Sequence, residues 1–119
     1  MFTVTNSTRG STLGDNIELA DTSLKRMVGL LGRRGLVAGG GLWISPSSGV
    51  HTFFMRFPID VIGLDKNLRV IKLWNTLVPY RVTSVSLECR SVIELSAGRI
   101  ADCNVQLGDV LSIAAAASA

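Results

Sequence analysis

Six ionisable side chains stand out as candidates for chemistry: Arg26, His51, Arg56, Asp60, Glu94 and Asp109. Cys89 and Cys103 are the two thiols. A hydrolytic reading assigns His51, Asp60 and Asp109 as acid, base and orienter, because a proton-transferring group needs a partner that fixes its geometry. No nucleophile accompanies them. GxSxG is absent, and either cysteine would need exposure and a lowered pKa to serve. A metal held by His51, Asp60 and Asp65 is a second enzymatic reading, but that spacing matches no metal signature. One histidine with two distant cysteines makes no tetrahedral zinc set either, so no metal or cofactor is expected.

Binding asks for less equipment. Arg26, Gly29 and Arg33 fall near one face at helical spacing, and Arg56 adds a second guanidinium. Planar donor forks of this kind suit a small anionic ligand or a carboxylate. The structural alternative pairs these arginines with Asp60 or Glu94. His51 could bind or transfer a proton, yet a single histidine before a strand also serves as an ordinary hydrogen-bonding residue. The run Phe53 to Phe57 offers either an aromatic patch for a protein partner or filling for the core. A binding or accessory module therefore ranks first. The alternative is a hydrolase-like or metal-dependent enzyme using His51, Asp60 and Asp109.

The elements that must position these residues are short. The central stretch HTFFMRFPIDVIGLD, His51 to Asp65, reads as two strand segments joined at Pro58, which belongs at a strand start, an edge or a bend. Asp60 lies among Ile59, Val61 and Ile62. If enclosed it needs donors, and the expected ones are amides near the Pro58 turn or the guanidinium of Arg56 or Arg26. Phe2-Thr3-Val4 predicts a strand, Asn6 to Asn16 a loop or loose hairpin, and Ile17 to Ala20 a strand. Asp21 or Thr22 caps a helix in which Leu24, Met27, Val28 and Leu31 form one apolar stripe. Gly39-Gly40-Gly41 reads as a flexible turn, since the lysine and hydroxyl of a phosphate loop are missing. Leu42 to Ile44, Leu68 to Trp74, Ser91 to Leu95 and Val110 to Ile113 are further strands. In the second of these, Leu68, Val70 and Trp74 are expected on one face, with Ile71 and Leu73 on the other. Asn75 to Arg81 reads as a connection, Val82 to Leu87 as another extended segment, and Arg99 to Val105 as a short helix or irregular passage. The fold class is mainly β: a small barrel-like or sandwich fold with one short α-helix packed on it.

A chain of 119 residues makes one domain, and 47% apolar residues provide a real core. The net charge of +3 comes without any basic run longer than Lys25-Arg26 or Arg33-Arg34, so a nucleic-acid partner is not expected. Two cysteines define no disulfide framework, and two reduced, partly buried thiols are the expectation. Neither a secretory leader nor a membrane span is visible, which makes the cytoplasm the default. A periplasmic or secreted protein would follow from a leader already removed.

The motifs ADTxxxRMxGLL at Ala20 to Leu31, GLWI at Gly41 to Ile44, HTFFMRFPIDVIGLD, VIELSAG at Val92 to Gly98 and LGD at Leu107 to Asp109 come in a specific order. In that order the chain resembles the DUF192 family, also called UPF0127, of small bacterial and archaeal proteins. Many members carry WMKNT where this chain has FFMRFPID, a departure at the polar NT pair. The resemblance implies a β-rich fold with a small helical element and brings no established activity; some members are secreted or lipid-anchored. It covers about Ile17 to Ile113, which divides the chain into an N-terminal strand and loop region (1–16), one domain (17–113) and a tail (114–119) expected to fray.

Overall fold

Seven strands make one sheet in the computed structural model, which describes residues 1–21, 35–36, 39–47, 57–78 and 87–115. The strands are β1 (Phe2–Asn6), β2 (Ser11–Ala20), β3 (Gly40–Ile44), β4 (Ile59–Leu64), β5 (Val70–Leu77), β6 (Ser91–Ser96) and β7 (Leu111–Ala115). Their spatial order is β5-β4-β6-β3-β2-β1-β7, and β2 with β3 is the parallel pair among otherwise antiparallel neighbours. The two edge strands approach each other where Arg69 pairs with Val110, so the sheet curls into a partly closed barrel. The described helix, α1 (Arg99–Asp102), follows β6 and packs Ile100 on the inner face. The expected helix over Leu24 to Leu31, the aromatic run Phe53 to Met55 and the extended segment from Val82 lie outside the described residues.

Curling gives the sheet two unlike faces, each with its own apolar cluster. Val4, Leu13, Ile17, Ile62, Leu64, Ile93, Leu95 and Leu111 fill the inside, joined by Ile100, Cys103 and Val105 from the helical passage. Ala20, Leu42, Ile44, Ile59, Val61, Cys89 and Val92 form a cluster on the outside. The period-2 alternation of β4 and β6 feeds both, which is why Ile59 to Leu64 reads as an unbroken apolar run apart from Asp60 and Gly63.

Three details differ from the sequence expectation, each for a local reason. Asn6 to Asn16, expected as a loop or loose hairpin, is a hairpin and a tight one, because the Asn6 side-chain oxygen accepts from the Thr8 and Arg9 amides and closes the turn. Trp74 lies on the outer face, opposite to Val70. Gly63 pairs with Lys72 but Leu64 with Val70, so Ile71 is an extra residue, and this bulge reverses the alternation. Gly40 and Gly41 belong to β3 and are buried, so the glycine run is only in part a turn. A Cβ on Gly41 would lie 2.6 Å from the Glu94 carbonyl oxygen, and glycine there serves close strand packing. At the ends, β5 runs on through Asn75, Thr76 and Leu77. β7 includes Ala114 and Ala115, which pair with Thr3 and Phe2, so the sheet takes in residues once assigned to the tail.

Candidate functional site

Asp60 has no solvent exposure and points to the inner face. Its Oδ1 accepts the Thr76 amide and its Oδ2 the Ile100 amide, each at 2.8 Å. The donors are backbone amides as expected, but they come from β5 and α1 instead of the Pro58 turn. A second bulge creates the first of them. Ile59 pairs with Leu77 and Val61 with Trp74, so Asn75 and Thr76 both stand opposite Asp60. Thr76 there has φ 53°, a conformation unfavourable for a β-branched residue. The second amide belongs to the first turn of α1, which Gly98 enters at φ 93°, and helix-start amides lack intrahelical acceptors. One carboxylate thus ties three elements together.

Asp109 is the second buried acid, 2% exposed, in the turn before β7. Its Oδ2 accepts from Arg9 Nε at 2.8 Å, Asn6 Nδ2 at 2.8 Å and the Gln106 amide at 3.0 Å. Burial alone would raise its pKa, but the hydrogen bonds from Arg9, Asn6 and Gln106, with the Arg9 charge, outweigh it and hold the carboxyl below its usual value. This network joins the β1–β2 turn to the closure of the barrel. Asn6 and Arg9 were not singled out from sequence, because a polar turn carries no mark of a partner about a hundred residues away.

Asp60 and Asp109 do not share a site. Val70 donates its amide to the Asp109 carbonyl, and Thr76 lies six residues further along β5, roughly 20 Å at strand rise. An acid–base pair built from both is therefore geometrically excluded. His51, Arg26 and Arg56 lie outside the described residues. Among the described residues no three His, Cys, Asp or Glu side chains are grouped to hold a metal ion, and no helix is long and apolar enough to cross a membrane.

Glu94 is placed differently. It is 3% exposed on β6, between the inward Ile93 and Leu95, and so faces outward. Strand register sets it in a transverse row running Glu18, Leu42, Glu94, Val61 and Trp74 across five strands. Two carboxylates therefore flank Leu42, roughly 10 Å apart at ordinary strand spacing. Beside Glu18 opens a recess of about 260 Å³ with Asn16, Leu36, Gly40 and Gly41 in its walls. Cys89 packs on this face as well; burial pushes its thiol pKa up, opposed only in part by hydrogen bonds with the Leu64 and Ser91 backbone. Cys89 and Cys103 are both free and buried.

The three connections β2–β3, β3–β4 and β5–β6 each join strands that run in the same direction, as the pairings require. Such a connection has to link opposite ends of the sheet. The described parts of all three meet the outer face: Leu36 from the first, Phe57 from the second and Cys89 from the third pack in its apolar cluster.

Comparison with known proteins places this architecture among relatives. The family model DUF192, "Uncharacterized ACR", matches residues 4–113. A UPF0127 protein of Thermococcus gammatolerans is 33% identical over 117 residues, covering 92% of this chain and 73% of the relative. A UPF0127 protein of Pyrococcus horikoshii is 30% identical over 111 residues, covering 89% of this chain and 94% of its own length. The crystal structure of a protein of unknown function from Novosphingobium aromaticivorans superposes with a TM-score of 0.79 at 26% identity, covering 93% of this chain and 82% of that one.

Proposed function

We propose, for a chain that belongs to the DUF192 (UPF0127) family, that the domain is a binding or accessory module whose working surface is the outer face of the sheet. One observation carries this reading. Leu36, Phe57 and Cys89, from three separate connections, converge on a face that also holds the buried Glu94 and a recess beside Glu18. Asp60 and Asp109, by contrast, are committed to holding strands and helix together. Glu94 lies buried in the row that leads to the half-buried Glu18 at the recess, whereas Asp60, saturated by backbone amides, is a structural pin.

The ligand in this reading is a small anion taken by the guanidinium groups of Arg26 and Arg56, the arginines that the sequence pattern singles out. A thermal-shift panel of phosphate, sulfate, citrate, ammonium and divalent metal ions tests it on the intact protein. Binding to the folded state raises the melting temperature by mass action, so at least one anion is expected to stabilise the protein. Arg26→Gln combined with Arg56→Gln removes that shift. Stabilisation by none of the anions, or by an anion equally in the double variant, overturns the proposal.

A further inference from the structure

Two short turns lie side by side next to the end of β4. Asp65 to Leu68 joins β4 to β5 and is fixed by the Asp65 carboxylate, whose Oδ1 accepts the Asn67 amide at 2.8 Å and the Arg69 amide at 2.9 Å. The Leu68 amide closes the same turn on the Asp65 carbonyl. Leu87 to Arg90 leads into β6. Its Cys89 is buried in the outer apolar cluster, and Arg90 donates its amide to the Leu64 carbonyl while its own carbonyl accepts the Ser47 amide. Both turns are held by the frame, so the side chains they present start from fixed positions.

Between them opens a cleft of about 300 Å³ lined by Asp65, Lys66, Leu87, Glu88 and Arg90. Leu87 is 95% exposed, more than any other large hydrophobic side chain among the described residues. One exposed leucine is ordinary on a protein surface. This one stands at the rim of a cleft, on a turn pinned behind it, beside two long side chains whose stems add apolar wall. The charges around it are two acids and two cations, which leaves the rim neutral. Lys66, Glu88 and Arg90 are exposed, and among the described residues none of the four charges is spent in an ion pair.

A rim of one sign calls for a ligand of the other sign. A rim with both signs in equal number complements itself: turned about a two-fold axis, acids meet cations, and each contact occurs twice. The chain as a whole carries +3, so two copies repel on average, and a neutral patch is where that repulsion is least.

We infer that this cleft is the docking surface for a second copy of the chain, each Leu87 seated in the cleft of the other copy within a ring of acid–cation contacts. The surface shares no lining residue with the recess beside Glu18, and the inference goes beyond the anion reading. A patch of five side chains falls short of the roughly 1,200 Å² of total burial typical of a stable interface, so the dimer is a reversible one, with Kd on the order of 100 μM.

Sedimentation velocity of the intact protein from about 10 μM to about 1 mM tests it. The weight-average mass is expected to climb from the 12.7 kDa of one chain toward twice that value. Leu87→Ser is expected to weaken association at least about tenfold. Its melting temperature stays unchanged, because so exposed a side chain contributes little to the fold. Charge exchange then separates docking at this cleft from general stickiness. Glu88→Arg takes the neutral rim to +2 and Arg90→Glu takes it to −2, so each variant alone is expected to stay monomeric while their equimolar mixture dimerises. A wild type that is monomeric across the whole range overturns the inference, as does a dimer that survives Leu87→Ser or a mixture no more associated than its components. Amide shifts at Leu87 and Arg90 on adding N-acetylleucinamide to a protein that stays monomeric overturn the second copy in favour of a different apolar partner.

Discussion

Asp60 and Glu94 are near neighbours on adjacent strands, with Asp60 paired to Leu95 and Val61 to Glu94. Both are almost completely buried. One residue of register separates their fates, because successive side chains of a strand point to opposite faces. The inward carboxylate meets backbone amides that a bulge and a helix start have left without acceptors, so its burial completes the hydrogen bonding of the frame. The outward one joins a row of side chains on a face where Leu36, Phe57 and Cys89, from three separate connections, also pack. Burial alone therefore does not identify a functional acid; what the carboxylate is asked to satisfy does.

The largest effect on the frame side of this contrast is expected at Asp60. Asp60→Ala strands the Thr76 and Ile100 amides and is expected to cost about 3 kcal/mol or more, since each loses a bond to a charged acceptor. Asp60→Asn keeps one good acceptor oxygen and should cost less, and urea denaturation of both variants gives the difference. Equal stability of wild type and Asp60→Ala would break the distinction between the two acids.

A somewhat smaller loss, about 2 kcal/mol, is expected for Asp109→Asn, where Arg9, Asn6 and the Gln106 amide share one oxygen. Here pH sharpens the test. The folded pKa of Asp109 is lowered, so its contribution is complete above the unfolded value near pH 4 and is lost as pH falls through the folded value. Stability measured from pH 7 down to about 2 should show a shallower acid decline in Asp109→Asn than in the wild type.

The smallest change concerns the strand that separates the two outward acids. Gly41→Ala forces a Cβ against the Glu94 carbonyl and the Ile17 and Leu95 side chains, and about 1–3 kcal/mol is expected from overpacking. Thermal melts report the size of this penalty.

Sequence reasoning reached the β class, the positions of β4 and β6, the proline at the start of β4 and two free thiols. Each of these follows from local chemistry: alternation, a missing amide donor, an unmatched pair of cysteines. It also singled out Asp60 as an acid in need of donors. It missed which donors, because the Thr76 amide is turned inward by a bulge that nothing in the text Lys-Leu-Trp-Asn-Thr announces. The reversal at Ile71 that moved Trp74 outward was hidden for the same reason, since a bulge is decided by the pairing of two strands. Asn6 and Arg9 escaped because their partner is brought close only when the barrel closes.

The division of labour between the faces is tested most directly by an amide ¹H–¹⁵N titration of the wild-type protein with whichever of phosphate, sulfate or citrate stabilises it. The account predicts shifts along the outer row of Glu18, Leu42 and Glu94, with the amides of Thr76, Ile100 and Gln106 unmoved. Shifts centred on Thr76 and Ile100 at Asp60, or on Arg9 and Gln106 at Asp109, would contradict it.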